Sequence, residues 1–465
     1  MRAMPSPAPP APAPSPAPGQ LRRRRLLPGR RSPHDAEILR LAVPAFGALV
    51  AEPLFLFADS VIVGRLGTTP LGGLGVASQA LTTLVGISVF LAYGTTAAVA
   101  RQLGAGHREA AIRQGVDGLW LAGIIGMVVL AAAWPLAPQI VHAFGGSPGV
   151  SGEAATYLRI SLLGAPSMLV VLAGTGVLRG LQDTRTPLTV AVAANVVNVA
   201  LNAFLVLGLH WGIAGSAWGT VCAQTAAAAA YLAMVARGAR RAGVGFAPDL
   251  TGLRAAAMSG VSLVVRTIAL QAVLIVVTAI AARQGNAAIA AHQIAFRAWT
   301  LLAFALDAIA IAAQAITGRY LGAGDVAGAR AATSRMIGWG VVYGVVFGIV
   351  LVAAIPLLPG IFSAAPDVRR LLPAVLLVAA AQQPVAGVVF VLDGVLIGAG
   401  DQDYLALAGL AAGGVFAAGA ALVIAQHAGL VALWLAFSLW LVARFVTLTL
   451  RARSSQWLVT GAVRR

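Results

Sequence analysis

Four acidic residues interrupt long apolar stretches of this 465-residue chain: Glu52, Asp59, Asp307 and Asp393. A charged side chain in hydrocarbon costs on the order of 2.5–3.5 kcal/mol on insertion scales, so each needs a reason to be there. Asp59 sits in LFLFADSVIVGRLG, and Glu52 lies seven residues before it. Seven residues is close to two helical turns, which puts both carboxylates on one face, about 10 Å apart along the axis. A carboxyl group held out of water favours its neutral form, so such a stripe suits the uptake and release of a proton. The structural alternative is that Asp59 pairs with an arginine or caps a turn.

Asn195, Asn198 and Asn202 follow at spacings of three and four, again one helical face. Amides in membrane helices often bond only to neighbouring helices. Three on one face, in the same half as Asp59, suggest a polar lining. In the second half Asp307 stands seven residues before Gln314, with Arg266 and Arg297 also inside apolar segments. An Arg–Asp307 pair and a substrate or coupling role are both open. Asp393 lies close to an expected helix end and suggests packing or capping, while Gln271, His292 and Gln293 suggest bonds between helices. Asp117 falls near an interface. Pro44 and Pro53 each remove a backbone hydrogen bond from the first apolar segment and invite a bend there.

The elements that position these groups follow from composition. The chain is 59% hydrophobic and 10% charged, against roughly 25% charged in soluble domains. Its mean hydropathy is +0.87. The long apolar runs lack strict alternation, which indicates membrane helices rather than an outer-membrane barrel. Net charge is +17 and all 32 basic residues are arginine. They lie between apolar segments, not in one patch, which favours lipid headgroups over nucleic acid. The single cysteine, Cys222, excludes an intramolecular disulfide and a cysteine zinc site and suggests a packing role. No phosphate-binding loop, HExxH or nucleophile elbow is present, so neither an enzyme nor an ATP-driven pump is expected.

Twelve segments are long enough to cross a bilayer as helices, near 38–64, 71–100, 114–141, 155–178, 187–208, 212–236, 256–281, 286–317, 335–356, 369–396, 403–426 and 429–451. The eighth reads as the least apolar. An even count puts both termini on one side. That side receives the cluster LRRRRLLPGRR, Arg101, Arg108, Arg113, Arg179, Arg185, Arg237, Arg240, Arg241, Arg254, Arg319, Arg330, Arg335 and the C-terminal arginines. The other receives Arg65, Arg159, Arg283, Arg369 and Arg370. The asymmetry predicts both ends in the cytoplasm and a multi-pass protein of the cell membrane.

The halves repeat. RQLGAG at 101–106 corresponds to RYLGAG at 319–324, GVLRGLQD at 176–183 to GVLIGAGD at 394–401, and Arg65 and Gly67 to Arg283 and Gly285, all offset by 218 residues. Six helices return the chain to its starting side, so these are parallel repeats about an axis along the membrane normal. The expected organisation is a Pro/Ala/Arg-rich disordered tail over 1–34, a first lobe over 35–236, a linker over 237–254, a second lobe over 255–452 and a tail over 453–465. In the repeat, Asp59 corresponds to Val277 and Asp307 to Val89. The fold therefore does not demand either carboxylate.

EPLFLFADSVIVGRLG, the paired LGAG turns, GVLRGLQDTRTPLTV, RTIAL, AAHQI, ALDAIAIAAQAITG and DGVLIGAGD, in this order, resemble the multidrug and toxic compound extrusion (MATE) family, in its DinF-like branch. The likeness covers about 35–455. It implies an all-α membrane protein of twelve helices in two lobes that exports small organic compounds, often cationic or amphiphilic, in exchange for protons or sodium, without a cofactor. By that resemblance Asp59 is the ion-coupling residue, Asn198 and Asn202 complete its site, and Glu52 belongs to the Glu-Pro pair of the branch. Some members carry aspartate where this chain has Asn202, which favours one protonatable group, with sodium at Asp59 still open. Asn195, Asp307, Gln314 and Arg266 are candidates for a substrate cavity or a second polar site. The LGAG turns are expected only to permit chain reversal. The expected partners are the bilayer and a small organic substrate, with the chain acting as a monomer. A flippase for lipid-linked precursors and an uncoupled channel or scaffold are the alternatives.

Overall fold

The computed structural model describes residues 32–145, 147–362 and 365–464. Among them there is no β-strand. Eleven helices are long and apolar enough to cross a membrane, and a bent pair brings the count to twelve. In chain order the spans are α1 Pro33–Gly64, α2 Thr68–Gly104, α3 Arg108–Ala133, α4 Pro148–Leu162 with Ala165–Gly180, α5 Arg185–Gly208, α6 Gly212–Arg241, α7 Leu250–Arg283, α8 Asn286–Gly322, α9 Val326–Ala354, α10 Pro366–Gly398, α11 Gln402–Ala425 and α12 Leu430–Arg453. Each coincides with one segment expected from sequence. The expected tail over 1–34 lies mostly outside the described residues. Its last two positions already belong to α1, whose start Ser32 and Asp35 cap reciprocally.

The halves build alike. α3 and α9 are each followed by a short helix, Ala137–Phe144 and Leu358–Phe362. Pro166 and Pro384 are equivalent across the repeat, yet only the first accompanies a break. α4 bends by 55° there, where Gly164 precedes the proline. α10 carries Pro384 as a continuous helix. The proline removes one backbone bond in either place, and at the break Gly164 keeps an ordinary helical backbone and leaves room beside Val221 that a Cβ would crowd.

Leu54, Phe57, Val128 and Ile349 are among the large apolar side chains left exposed. In a membrane these face lipid, so their exposure carries no penalty there. α8 and α10 are instead the most enclosed spans. α8 packs against α10 within its half and against α2 and α1 of the other. α8 is less apolar than α7 and α9, but α6 and α2 are less apolar still, so the expectation that the eighth span is the least apolar does not hold. The second lobe's core also takes in Ile38, Leu41 and Ala42 from the start of α1.

The linker is shorter than expected, because α6 runs to Arg241 and α7 begins at Leu250. Asp117 on α3 holds it. The carboxylate accepts the Asp249 backbone N–H at 3.2 Å and pairs with Arg113 at 3.6 Å. The Trp120 indole N–H donates to the Phe246 carbonyl at 2.8 Å. Residues beyond α12 also fold back: Trp457 is buried, and the Gly461 N–H donates to the Leu321 carbonyl at 3.0 Å. Cys222, expected in packing, is exposed on α6.

Candidate functional site

Asp59 is enclosed within the first lobe, with 1% of its surface accessible. The Asn202 amide donates to its Oδ1 at 2.7 Å and the Ser216 hydroxyl donates to the same oxygen at 2.6 Å. The Tyr157 hydroxyl faces the same carboxyl. One layer further, the Asn198 amide donates to Thr220 Oγ1 at 3.2 Å, and Thr220 donates to the Ser216 carbonyl at 3.1 Å. The group therefore joins α1, α4, α5 and α6. α5 widens into a π-helical turn over Ala203–Gly208, directly after Asn202. Such turns concentrate at functional sites.

The repeat isolates this group chemically. The positions 218 residues after Asp59, Tyr157, Asn198, Asn202 and Ser216 are Val277, Val375, Phe416, Ala420 and Trp434. All five are buried and apolar. The same scaffold thus closes with a dry core in one half and a buried carboxylate in the other. Of the residues around Asp59, sequence reasoning reached Asn198 and Asn202 but missed Tyr157, Ser216 and Thr220. Their only signal was their buried partnership across helices.

Glu52 does not join Asp59. It is exposed on α1 and has no side-chain partner among the described residues, while Asp59 one apolar stretch later is enclosed. Pro53 lies between them inside a continuous helix. The two prolines free carbonyls on α1, and polar groups come to this stretch of backbone. Thr184 Oγ1 donates at 3.5 Å to the Arg40 carbonyl, which Pro44 leaves without its helical donor. The Asn195 amide donates at 3.0 Å to the Ala51 carbonyl beside Pro53. Asn195 therefore braces the first helix and takes no part in the cavity of the second lobe.

That cavity, about 290 Å³, lies between α2 and the second lobe. Val89 and Asp307, equivalent positions of the repeat, both line it, together with Gln314, Arg266, Asp393 and Arg444. Arg266 does not pair with Asp307. Its guanidinium is paired with Asp393, and Arg444 Nη2 reaches the same carboxylate at 3.1 Å. Asp393 is thus bracketed by two arginines in the body of α10 instead of capping its end. Asp307 faces Arg179 and Arg266 without closing an ion pair to either among the described residues. His292 bonds Thr278 at 3.1 Å and stacks on Phe296, an interhelical role. Arg297 is exposed. Among the described residues no cluster of three or more His, Cys, Asp or Glu side chains could hold a metal ion.

Comparison with known proteins agrees with this architecture. The MatE family model matches twice, over residues 44–204 and 262–418, more than half of the chain and one match in each repeat. Protein DETOXIFICATION 44, chloroplastic, of Arabidopsis thaliana is 30% identical over 426 residues, covering 88% of this chain and 80% of that one. DNA damage-inducible protein F of Escherichia coli is 31% identical over 296 residues, covering 63% of this chain and 64% of that one. Among solved structures, MATE in the bent conformation superposes with a TM-score of 0.81 at 19% identity, covering 90% of this chain and 94% of that one. Twelve helices in two repeated lobes and a family match in each half make this chain a member of the MATE family of multidrug and toxic compound efflux transporters, a carrier and not an enzyme.

Proposed function

We propose that the chain is a secondary active antiporter, exporting amphiphilic organic compounds by alternating access in exchange for protons taken up at Asp59. The observation that carries this reading is the single enclosed carboxylate held by Asn202 and Ser216 in one half only. Both donors aim at the ionised form of Asp59, so they stabilise its charge. Charge-assisted bonds of this kind contribute roughly 1.5–3 kcal/mol each. A proton on Asp59 cancels that gain and loosens the joint between α1, α5 and α6. α1 also packs against α8 of the other lobe, so a change of bend at Pro53 reaches both lobes.

In this cycle, protons from outside neutralise Asp59 and release substrate outward. The inward state reloads as the proton leaves. Sodium is the competing ion. The single carboxylate favours a proton, while the buried Asn198 and Asn202 amide oxygens, which have no hydrogen-bond partner among the described residues, and the Ser216 hydroxyl are the groups sodium would use. The arginine asymmetry supports both termini in the cytoplasm and residence in the cell membrane.

Efflux from loaded vesicles under an imposed proton or sodium gradient tests this. Wild type should export under a proton gradient, and Asp59→Asn should lose the gradient dependence. Export by Asp59→Asn at the wild-type rate with unchanged ion dependence would falsify the assignment.

A further inference from the structure

The lobe-spanning cavity is charged in a way the fold does not require. The equivalents of Arg266, Asp393 and Arg444 in the first half are Ala48, Thr175 and Ala226. Arg266 and Arg444 share the one carboxylate of Asp393, which leaves that trio with a surplus positive charge. The other acid of the cavity, Asp307, faces Arg179 as well as Arg266. Two guanidiniums and two carboxylates line the cavity, and the third guanidinium, Arg179, stands outside the lining where its charge acts on Asp307. All three arginines and Asp393 are buried. An uncompensated buried charge costs several kcal/mol and calls for a counter-ion. The remaining wall is apolar and aromatic, including Trp299, Phe304, Phe390 and Trp440. The volume lies at the low end of cavities that take small organic ligands, roughly 300–1,000 Å³.

We propose that this cavity binds amphiphiles carrying one negative charge, with the anionic group against Arg444 and Arg266 and the aromatic or aliphatic body against the tryptophan and phenylalanine wall. It names the substrate class of the exporter proposed above and rests on that reading for transport, though not for binding. Each arginine uses part of its donor fork on Asp393. A planar or tetrahedral anion takes further donors of the same forks. A cation of the same shape meets the surplus charge with the wrong sign, and its only attraction is Asp307, which already faces two arginines.

A matched pair of probes separates the signs: naphthalene-2-sulfonate and 2-naphthyltrimethylammonium. Trp299 and Trp440 in the wall report binding by fluorescence quenching of the purified full chain. The sulfonate should bind at least about tenfold more tightly than the ammonium compound. Arg444→Gln should erase that preference, because it removes the surplus charge while Asp393 keeps Arg266. Arg444→Lys, which retains the charge, should keep most of it and shows that the site tolerates substitution. Equal or tighter binding of the ammonium compound, or sulfonate affinity unchanged in Arg444→Gln, overturns the proposal. Vesicles loaded with each probe keep the two readings apart. Gradient-driven export of the ammonium compound alone would sink the anion site and leave the exporter standing. Sulfonate binding that responds to Arg444 without export of either probe would uphold the site and sink the exporter.

Discussion

Arg101 and Gly322 lie on opposite lobes, and the backbone of one rests on the other: a Cβ on Gly322 would overlap the Arg101 carbonyl. The repeat returns the contact in reverse, with Gly104 against the Arg319 carbonyl. The LGAG turns are therefore more than chain reversals. They are one of the places where the two halves touch, on the face that carries both described chain ends. Alanine at Gly104 or Gly322 should separate the lobes there, at an overpacking cost of about 1–3 kcal/mol. Both variants should label faster at cysteines introduced beside Arg101 than wild type does. Equal labelling would show that the contact is not a closure.

Further ties sit on the same face. Glu37 pairs with Arg319, and Asp35 with Arg335 at 2.5 Å, both between α1 and the second lobe. Arg101 donates to the Val459 carbonyl at 2.7 Å and the Ala399 carbonyl at 3.1 Å. Removing residues 455–465 takes away the Val459 and Gly461 bonds while leaving every span. The truncated chain should insert normally and shift toward the state open on this face, read as a shorter time to label the same cysteines. If labelling does not change, the segment packs there without holding the face closed.

At the first-lobe site, Asn202→Ala and Ser216→Ala each remove one donor to Asp59. Each should make the carboxylate easier to protonate, since the lost bond favoured the charged form. The pH at which gradient-driven efflux is half-maximal should rise in both, further in the double variant. A fall in that pH would contradict the assignment of these two residues.

Asp393 offers a stability test. Asp393→Ala leaves two buried arginines without their carboxylate, and breaking a buried pair typically costs 3–5 kcal/mol. Thermal stability in detergent should drop well below that of Asp307→Ala, whose carboxylate closes no ion pair among the described residues. Pairing Asp393→Ala with Arg266→Met should recover part of the loss. Similar melting of Asp393→Ala and Asp307→Ala would mean the bracket contributes little.

Much of this protein is determined by local pattern, and local pattern is what a sequence displays. Apolar length sets each of the twelve spans, because a helix must satisfy its own backbone in lipid. The offset of 218 residues revealed the repeat, since both halves solve the same packing problem with the same glycines. Asp59 and the face of Asn198 and Asn202 were visible as polar groups in the wrong solvent. Partner choice was not visible. Asp393, not Asp307, takes Arg266, 127 residues away, because α7 and α10 meet there. Ser216, Thr220 and Tyr157 carry no sequence signal, since hydroxyls are common in membrane helices and only adjacency aims them at Asp59. Glu52 is a companion of Asp59 by helical arithmetic, and only the packing of the helices left one exposed and enclosed the other. Periodicity along one helix follows from the backbone; which helices become neighbours, and which charges then face each other, was decided only when the two lobes packed.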